Sequence, residues 1–391
     1  MFKIFFLLLP VAAASGWFAG FRQQHNEKIG ESKKQPRIPA DYLIGLNYLI
    51  DDNHDKAIDV FIKMLDVNDD TVETHLALGS LFRKRGEVDR AIRIHQNIIA
   101  RPNLKAEERI RALSELGQDY LRAGFLDRAE SIFLEMTTSS SDQNLSYNYL
   151  LSIYQLQKDW ENAIKIAKKM ESKDNNLNCD IAHYYCELAE VAWQKSLASE
   201  AEGYLKKALS HDKNCVRASI LYGDDAMRKG DYKKALGFYT KVEEQDPDAL
   251  VLVLASLVKC YESLGKEEEL VDYLKKCLKS GVQTALILTL AEKIKKLYGS
   301  EDAYSFLLQQ IPRCISWTSA HYLLRFYLAD SESDVQKKLA FLEKVFAELL
   351  EKEPNYRCVH CGFAGKMFYW QCPSCRAWGS LQSEDRRQRS E

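Results

Sequence analysis

The sequence predicts an all-α protein: a stack of helical hairpins, preceded by one membrane-length apolar helix and followed by a small cysteine-held knuckle domain. Three observations predict it. Small residues recur at intervals of 34, 38, 34, 38 and 34 positions through the body of the chain. An uncharged apolar run lies at the N-terminal end, and two C-x-x-C pairs lie near the C-terminal end.

At 391 residues the chain is too long for one ordinary core, so two or three structural units are expected. Eighteen Gly and eight Pro are few for this length, which disfavours disorder and turn-rich β folds. A formal net charge of -2 gives no global pull toward nucleic acid. Of the ten cysteines, Cys179, Cys186, Cys215, Cys260, Cys277 and Cys314 are scattered in helix-like stretches, and four are bunched near the end. A disulfide scaffold would be shorter and more evenly studded, so a reducing compartment fits better.

Ile4 to Phe21 is an 18-residue apolar segment without a charge. As a helix it spans about 27 Å, roughly one hydrocarbon core. A cleavable signal peptide is one reading, because Ala12-Ala13-Ala14-Ser15-Gly16 offers small residues to a peptidase. An uncleaved anchor is favoured instead. The apolar run continues through Trp17, Phe18 and Phe21, and only Lys3 precedes it while Arg22, Lys28, Lys33, Lys34 and Arg37 follow. That asymmetry places the body of the protein in the cytoplasm, where thiolates also persist.

The repeat is keyed by Ala57, Ala91, Ala129, Ala163, Ala201 and Ala235. Twelve residues before them stand Gly45, Gly79, Gly117, Leu151, Ala189 and Gly223; four after them stand Phe61, His95, Phe133, Ala167, Leu205 and Tyr239. Turn glycines recur at Gly86, Gly124 and Gly230. This small–aromatic–Gly–Ala pattern with a 34-residue period resembles tetratricopeptide repeats, most strongly in the first three and sixth units. Small residues let the two helices of a hairpin approach, aromatics are expected to fill the gap to the next hairpin, and the units must stack to bury their stripes. Tyr261, Gly265, Leu270 and Leu274 continue the frame, Ala303 and Leu307 extend it, and Phe341, Leu342, Val345, Phe346 and Leu349 read as a terminal cap. Lys84, Arg122 and Arg228 share one repeat position. A basic ladder for an acidic peptide is one reading; cations offsetting helix C-termini is the better one.

The last segment carries Cys358-x-x-Cys361, ten residues, then Cys372-x-x-Cys375. Each pair can fold as a knuckle aiming two sulfurs at one ion, and two knuckles make a tetrahedral S4 site. Gly362 and Pro373 suit the tight turns. Zinc suits four thiolates best and iron stays open. His360 is read as a loop residue, since the four thiols fill the site. A segment this short has too little core to fold alone, so it depends on its metal and is expected to pack on the last helices. The six other cysteines are expected to be small core residues. No Walker loop, G-x-S-x-G or H-E-x-x-H occurs, so no catalytic residue or organic cofactor is nominated. Arg386, Arg387 and Arg389 are too few for a nucleic-acid site.

Apolar span, repeats and the Tyr356-x-Cys358-x-x-Cys361-Gly362-Phe363 … Trp370-x-Cys372-Pro373-x-Cys375-x-x-Trp378 end together resemble the bacterial lipopolysaccharide assembly protein B family (LapB/YciM), with its rubredoxin-like metal domain. The expected organisation is a transmembrane anchor over 1–21, a linker over 22–38, a tetratricopeptide solenoid over 39–350, a rubredoxin-like domain over 351–382 and a polar tail over 383–391. The resemblance implies a non-catalytic inner-membrane adaptor, held through residues 4–21, that acts with the protease FtsH on turnover of the LpxC deacetylase. It also implies contacts with lipopolysaccharide transport and assembly proteins; a homodimer stays open. A rubredoxin-type electron carrier and a generic scaffold for other envelope proteins are the alternatives, the first requiring iron.

Overall fold

The computed structural model describes residues 40–51, 56–57, 60, 72–102, 104–139, 143–170, 175–280, 283–310, 317–329, 343–351 and 353–384. The expected anchor and linker, Phe61, Cys314, Phe341, Leu342 and the tail beyond Glu384 lie outside these. Among the described residues no helix is long and apolar enough to cross a membrane.

The repeats fold as tetratricopeptide hairpins. The described helices are α1 (Ala40–Ile50), α2 (Val72–Arg85), α3 (Val88–Ile99), α4 (Ala106–Ala123), α5 (Leu126–Ser139), α6 (Gln143–Gln157), α7 (Trp160–Lys169) and α8 (Asn175–Gln194). They continue as α9 (Ala198–His211), α10 (Val216–Arg228), α11 (Tyr232–Gln245), α12 (Leu250–Ser263), α13 (Glu267–Ser280), α14 (Thr284–Tyr298), α15 (Ser300–Gln310) and α16 (Trp317–Ala329). Packing divides the chain into two compact units, with the break between Tyr149 and Leu150 inside α6.

All six keyed alanines, together with Leu270, Leu274, Ala303 and Leu307, have no solvent exposure. The reason is the approach they permit. A methyl group added to Gly117 would stand 2.6 Å from Phe133, one on Gly223 would stand 2.4 Å from Tyr239, and one on Gly79 would stand 2.3 Å from His95. The large residue of the second helix therefore seats on the glycine of its own hairpin and also reaches the next one, as His95 does through Asp119 of α4. Phe133 does both, because its other contact is a stacked ring, Tyr149, at 4.5 Å. The fourth and fifth units, weakest in the sequence pattern, carry Leu151 with Ala167 and Ala189 with Leu205, all buried. In the fourth unit the two positions exchange bulk, and in the fifth a small residue still faces a large one; both pairs remain apolar and complementary.

A second regularity was hidden in the sequence. Gly86, Gly124, Gly230 and Gly265 adopt positive φ, and so do Lys158 (φ 57) and Ser196 (φ 62) at the same place in the fourth and fifth units. Each hairpin turn closes with the same bond from the following N–H to the carbonyl five residues back: Phe125 to Tyr120, Asp159 to Tyr154, Leu197 to Ala192, Asp231 to Ala226. These are Schellman caps. The turn geometry persists where the glycine does not.

Lys84, Arg122 and Arg228 all fall in the last turns of their helices, as dipole compensation requires. In the first unit a buried polar cluster adds to the apolar core. Asp119 accepts from Arg83 at 2.7 Å and lies 2.5 Å from His95 Nδ1, with both the Asp119 and His95 side chains fully enclosed. In the second, Tyr239, Leu257, Leu274, Leu290 and Leu307 belong to one continuous core. Of the scattered cysteines, Cys186, Cys215, Cys260 and Cys277 are buried as expected; Cys179 is exposed. The helical residues 343–351 leave Val345 and Leu349 exposed.

Candidate metal centre

Beyond the helices, three short strands form an antiparallel sheet: β1 (Tyr356–Cys358), flanked by β2 (Ala364–Gly365) and β3 (Leu381–Ser383) in the order β2-β1-β3. Tyr356 pairs with Gly365 on one side and with Ser383 on the other. The sheet holds the first knuckle and a single bridge between Gln371 and Trp378 holds the second.

The two knuckles are built alike. Cys358 N–H donates to the Phe363 carbonyl at 2.8 Å, and Cys372 N–H donates to the Ala377 carbonyl at 3.0 Å. Gly362 N–H returns to Cys358 and Arg376 N–H returns to Cys372, at 3.0 and 2.9 Å. Both returning residues have positive φ, 76° for Gly362 and 60° for Arg376. The glycine was legible in the sequence; Arg376 takes the same left-handed turn against its side chain's preference.

These turns bring Cys358, Cys361, Cys372 and Cys375 together, with all four sulfurs within 4.8 Å of one another. Cys358 and Cys375 sulfurs stand 3.6 Å apart, and Cys361 and Cys372 sulfurs 3.7 Å. Metal–sulfur bonds of about 2.3 Å in a tetrahedron require about 3.8 Å between sulfurs, so the set fits one four-coordinate ion. Burial alone would raise the Cys358 thiol, but the Ser380 hydroxyl, the Cys361 and His360 amides and the Cys375 thiol carry it down to about 6. The Phe363 amide pulls Cys361 down as well. The four cysteines form a tetrathiolate-capable site. His360 is exposed, in the turn beside it.

The knuckle domain was expected on the last helices. It packs instead on α6, α7, α8 and α10. Trp378 carries the contact. Its ring stacks on His183 at 5.0 Å, meets Trp160 edge-on at 6.0 Å and Tyr184 at 5.9 Å, and lies under the Arg217 guanidinium at 5.8 Å. Arg217, almost fully enclosed, is neutralised by Glu187 at 2.8 Å and Glu190 at 2.9 Å. Beside this box Gln371 donates to Gln155 Oε1 at 3.0 Å, and Gln155 donates to the Tyr184 hydroxyl at 2.7 Å. Burial takes the His183 imidazole down to about 3, aided by the Arg217 charge, so the ring against Trp378 is neutral. No spacing rule in the sequence links Trp378 to residues 160–217.

Comparison with known proteins agrees with this architecture. Residues 356–383 match the rubredoxin metal binding domain, and residues 74–107 and 186–249 match tetratricopeptide repeats. Residues 118–140 and 145–175 match the related PPR repeat. Lipopolysaccharide assembly protein B of Escherichia coli is 39% identical over 385 residues, 98% of this chain and 98% of its own. Its namesake from Haemophilus influenzae is 35% identical over 392 residues, again 98% of each. With hairpins, knuckles and full-length similarity in agreement, the chain belongs to the lipopolysaccharide assembly protein B family.

Proposed function

We propose that this protein is a non-catalytic adaptor in lipopolysaccharide assembly, tethered to the inner membrane through residues 4–21, with its repeats in the cytoplasm. Its task is to present the LpxC deacetylase to the FtsH protease and to keep synthesis in step with the assembly and transport proteins that follow. The observation that carries this reading is the 39% identity to a lipopolysaccharide assembly protein over 98% of both chains. Tetratricopeptide hairpins suit the role, since their usual work is docking segments of other proteins.

Cys358, Cys361, Cys372 and Cys375 hold one zinc ion in this proposal. With every position taken by sulfur, the ion has no place for a reactive water and serves shape. Shape matters because the knuckle domain is the surface that Trp378 presses onto the repeats. Tethering adds the second element, confining the scaffold to the membrane plane where its protease sits and raising their effective concentration.

The test is deletion of the gene followed by immunoblotting of LpxC and affinity capture of the full-length chain in detergent. LpxC rises several-fold on deletion, and both LpxC and FtsH co-purify with the intact chain. Unchanged LpxC levels together with capture of neither protein would overturn the proposal.

A further inference from the structure

Between the knuckle domain and the helices beneath it lies a cavity of about 570 Å³. Four carboxylates line it, Asp180, Asp212, Asp246 and Asp248, and among the described residues no Lys or Arg does. Three of the four have local work. Asp212 accepts from the Asn214 N–H at 2.9 Å, Asp246 from the Asp248 N–H at 3.1 Å, and Asp248 from Gln283 Nε2 at 3.3 Å. Asp180 has no hydrogen-bond or ion-pair partner among the described residues.

A group of acids alone says little, because solvated caps look the same. The second observation points to a ligand. One turn beyond Asp180 on α8, His183 also lines the cavity; it is nine-tenths buried, and neither ring nitrogen has a hydrogen-bond partner among the described residues, Nδ1 being closed off and Nε2 lying beside Gly379 of the cavity wall. Enclosing such an atom costs stability unless something bonds to it. Around it stand aromatic walls, Trp378 at 5.0 Å and Trp370 at 5.8 Å.

We infer that this cavity receives an arginine side chain from a partner protein, its guanidinium held by Asp180, bonded to His183 Nε2 and stacked against Trp370. The inference deepens the adaptor reading above and rests on it. An anion is disfavoured by four carboxylates without a lining cation. Arginine suits the site better than lysine because its planar, weakly hydrated fork stacks on indoles and donates in several directions. The same wall already holds one such pair, Arg217 against Trp378, whose charge Glu187 and Glu190 offset. The volume exceeds one side chain several-fold, so flanking residues of an extended segment enter too.

The test uses the full-length chain in detergent and a fluorescein-labelled heptapeptide, Gly-Ser-Leu-Arg-Leu-Ser-Gly, with forms carrying Gln or Lys at the centre. The arginine peptide binds at least tenfold tighter than the glutamine one, and the lysine peptide falls between. Asp180→Asn weakens the arginine peptide at least tenfold. His183→Phe, which keeps a ring against Trp378, weakens it at least threefold, with melting temperature and metal content confirming the fold of each variant. Equal binding of the arginine and glutamine peptides, or wild-type affinity in folded Asp180→Asn, overturns the inference. A tenfold gain in peptide affinity on removing residues 385–391 overturns it as well, since Arg386 or Arg387 would then be the occupant. Failure of the adaptor reading is separately visible: the wild-type chain would capture neither LpxC nor FtsH whatever the peptides do.

Discussion

The indole of Trp378 lies 5.0 Å from the imidazole of His183, their planes 16° apart, and this stack joins the four-cysteine knuckle domain to the middle of a helical repeat array. The residues are far apart in sequence, so the contact closes a long loop. What it secures is the position of the knuckle domain, and through it the cavity beneath.

Trp378→Ala removes the ring that meets Trp160, Tyr184, His183 and Arg217 at once. Stability of the docked state falls by about 2–4 kcal/mol, somewhat less than the loss of a fully enclosed aromatic because Trp378 is only partly buried. Hydrogen exchange checks this: amides of α8 and α10 lose protection while the hairpins α2–α3 and α4–α5 do not change. Equal protection in variant and wild type would show that the other contacts suffice.

Stripping the metal with a strong chelator unfolds the knuckle domain, because its buried core consists of Cys358, Cys372 and Leu381 with Tyr356, Phe363 and Phe368 packed against it. Proteolysis near residues 353–384 accelerates and tryptophan fluorescence shifts to the red, both reversed by one equivalent of zinc. Purified zinc protein is colourless; a red protein would identify ferric iron.

Asp180 sits in the cavity at a cost. Burial lifts its carboxyl from the usual range to about 6. The folded chain thus holds this proton more tightly than the unfolded one, and stability drains away as pH rises from about 4 to about 6. At pH 7.5 the ionised group costs roughly 1–3 kcal/mol. Asp180→Asn is therefore more stable than wild type at pH 7.5, and its advantage shrinks as pH is lowered to 5. His183, held neutral, loses stability in the opposite sense below its unfolded value, equally in both proteins. Thermal melts across this range decide it.

Lys158 and Ser196 occupy left-handed turns that glycine fills in the other repeats. Lys158→Gly and Ser196→Gly each raise stability by up to about 1 kcal/mol, relief of the strain offsetting the greater freedom of the unfolded chain. Urea midpoints that fall for both variants would show that side-chain contacts outweigh the backbone preference.

Gly117→Ala forces a methyl group to within 2.6 Å of the Phe133 ring, in a core that is fully enclosed. A loss of about 1–3 kcal/mol is expected. Gly203→Ala, in α9 with nothing within 4 Å of the added carbon, gains about 0.5–1 kcal/mol instead. Opposite shifts in melting temperature distinguish steric approach from helix propensity.

The hairpins and the cysteine cluster are legible from the residues alone, because both are local or periodic. Ala57 through Ala235 mark where helices must touch, and a C-x-x-C spacing dictates a turn whatever surrounds it. The fourth unit reads weakly because a pattern of residue names misses an exchange of bulk, Leu151 with Ala167, and the fifth because Leu205 replaces the aromatic; the apolar fit survives in both. Lys158, Ser196 and Arg376 escaped notice for a related reason: neighbouring hydrogen bonds imposed a left-handed backbone that their side chains disfavour. The seat of the knuckle domain, the meeting of Trp378 with His183, and the cavity that Asp180 and His183 share with Trp370 emerge only in the folded chain. Those pairings depend on how successive hairpins bring α8 and the knuckle domain into reach, and no local spacing encodes that distance.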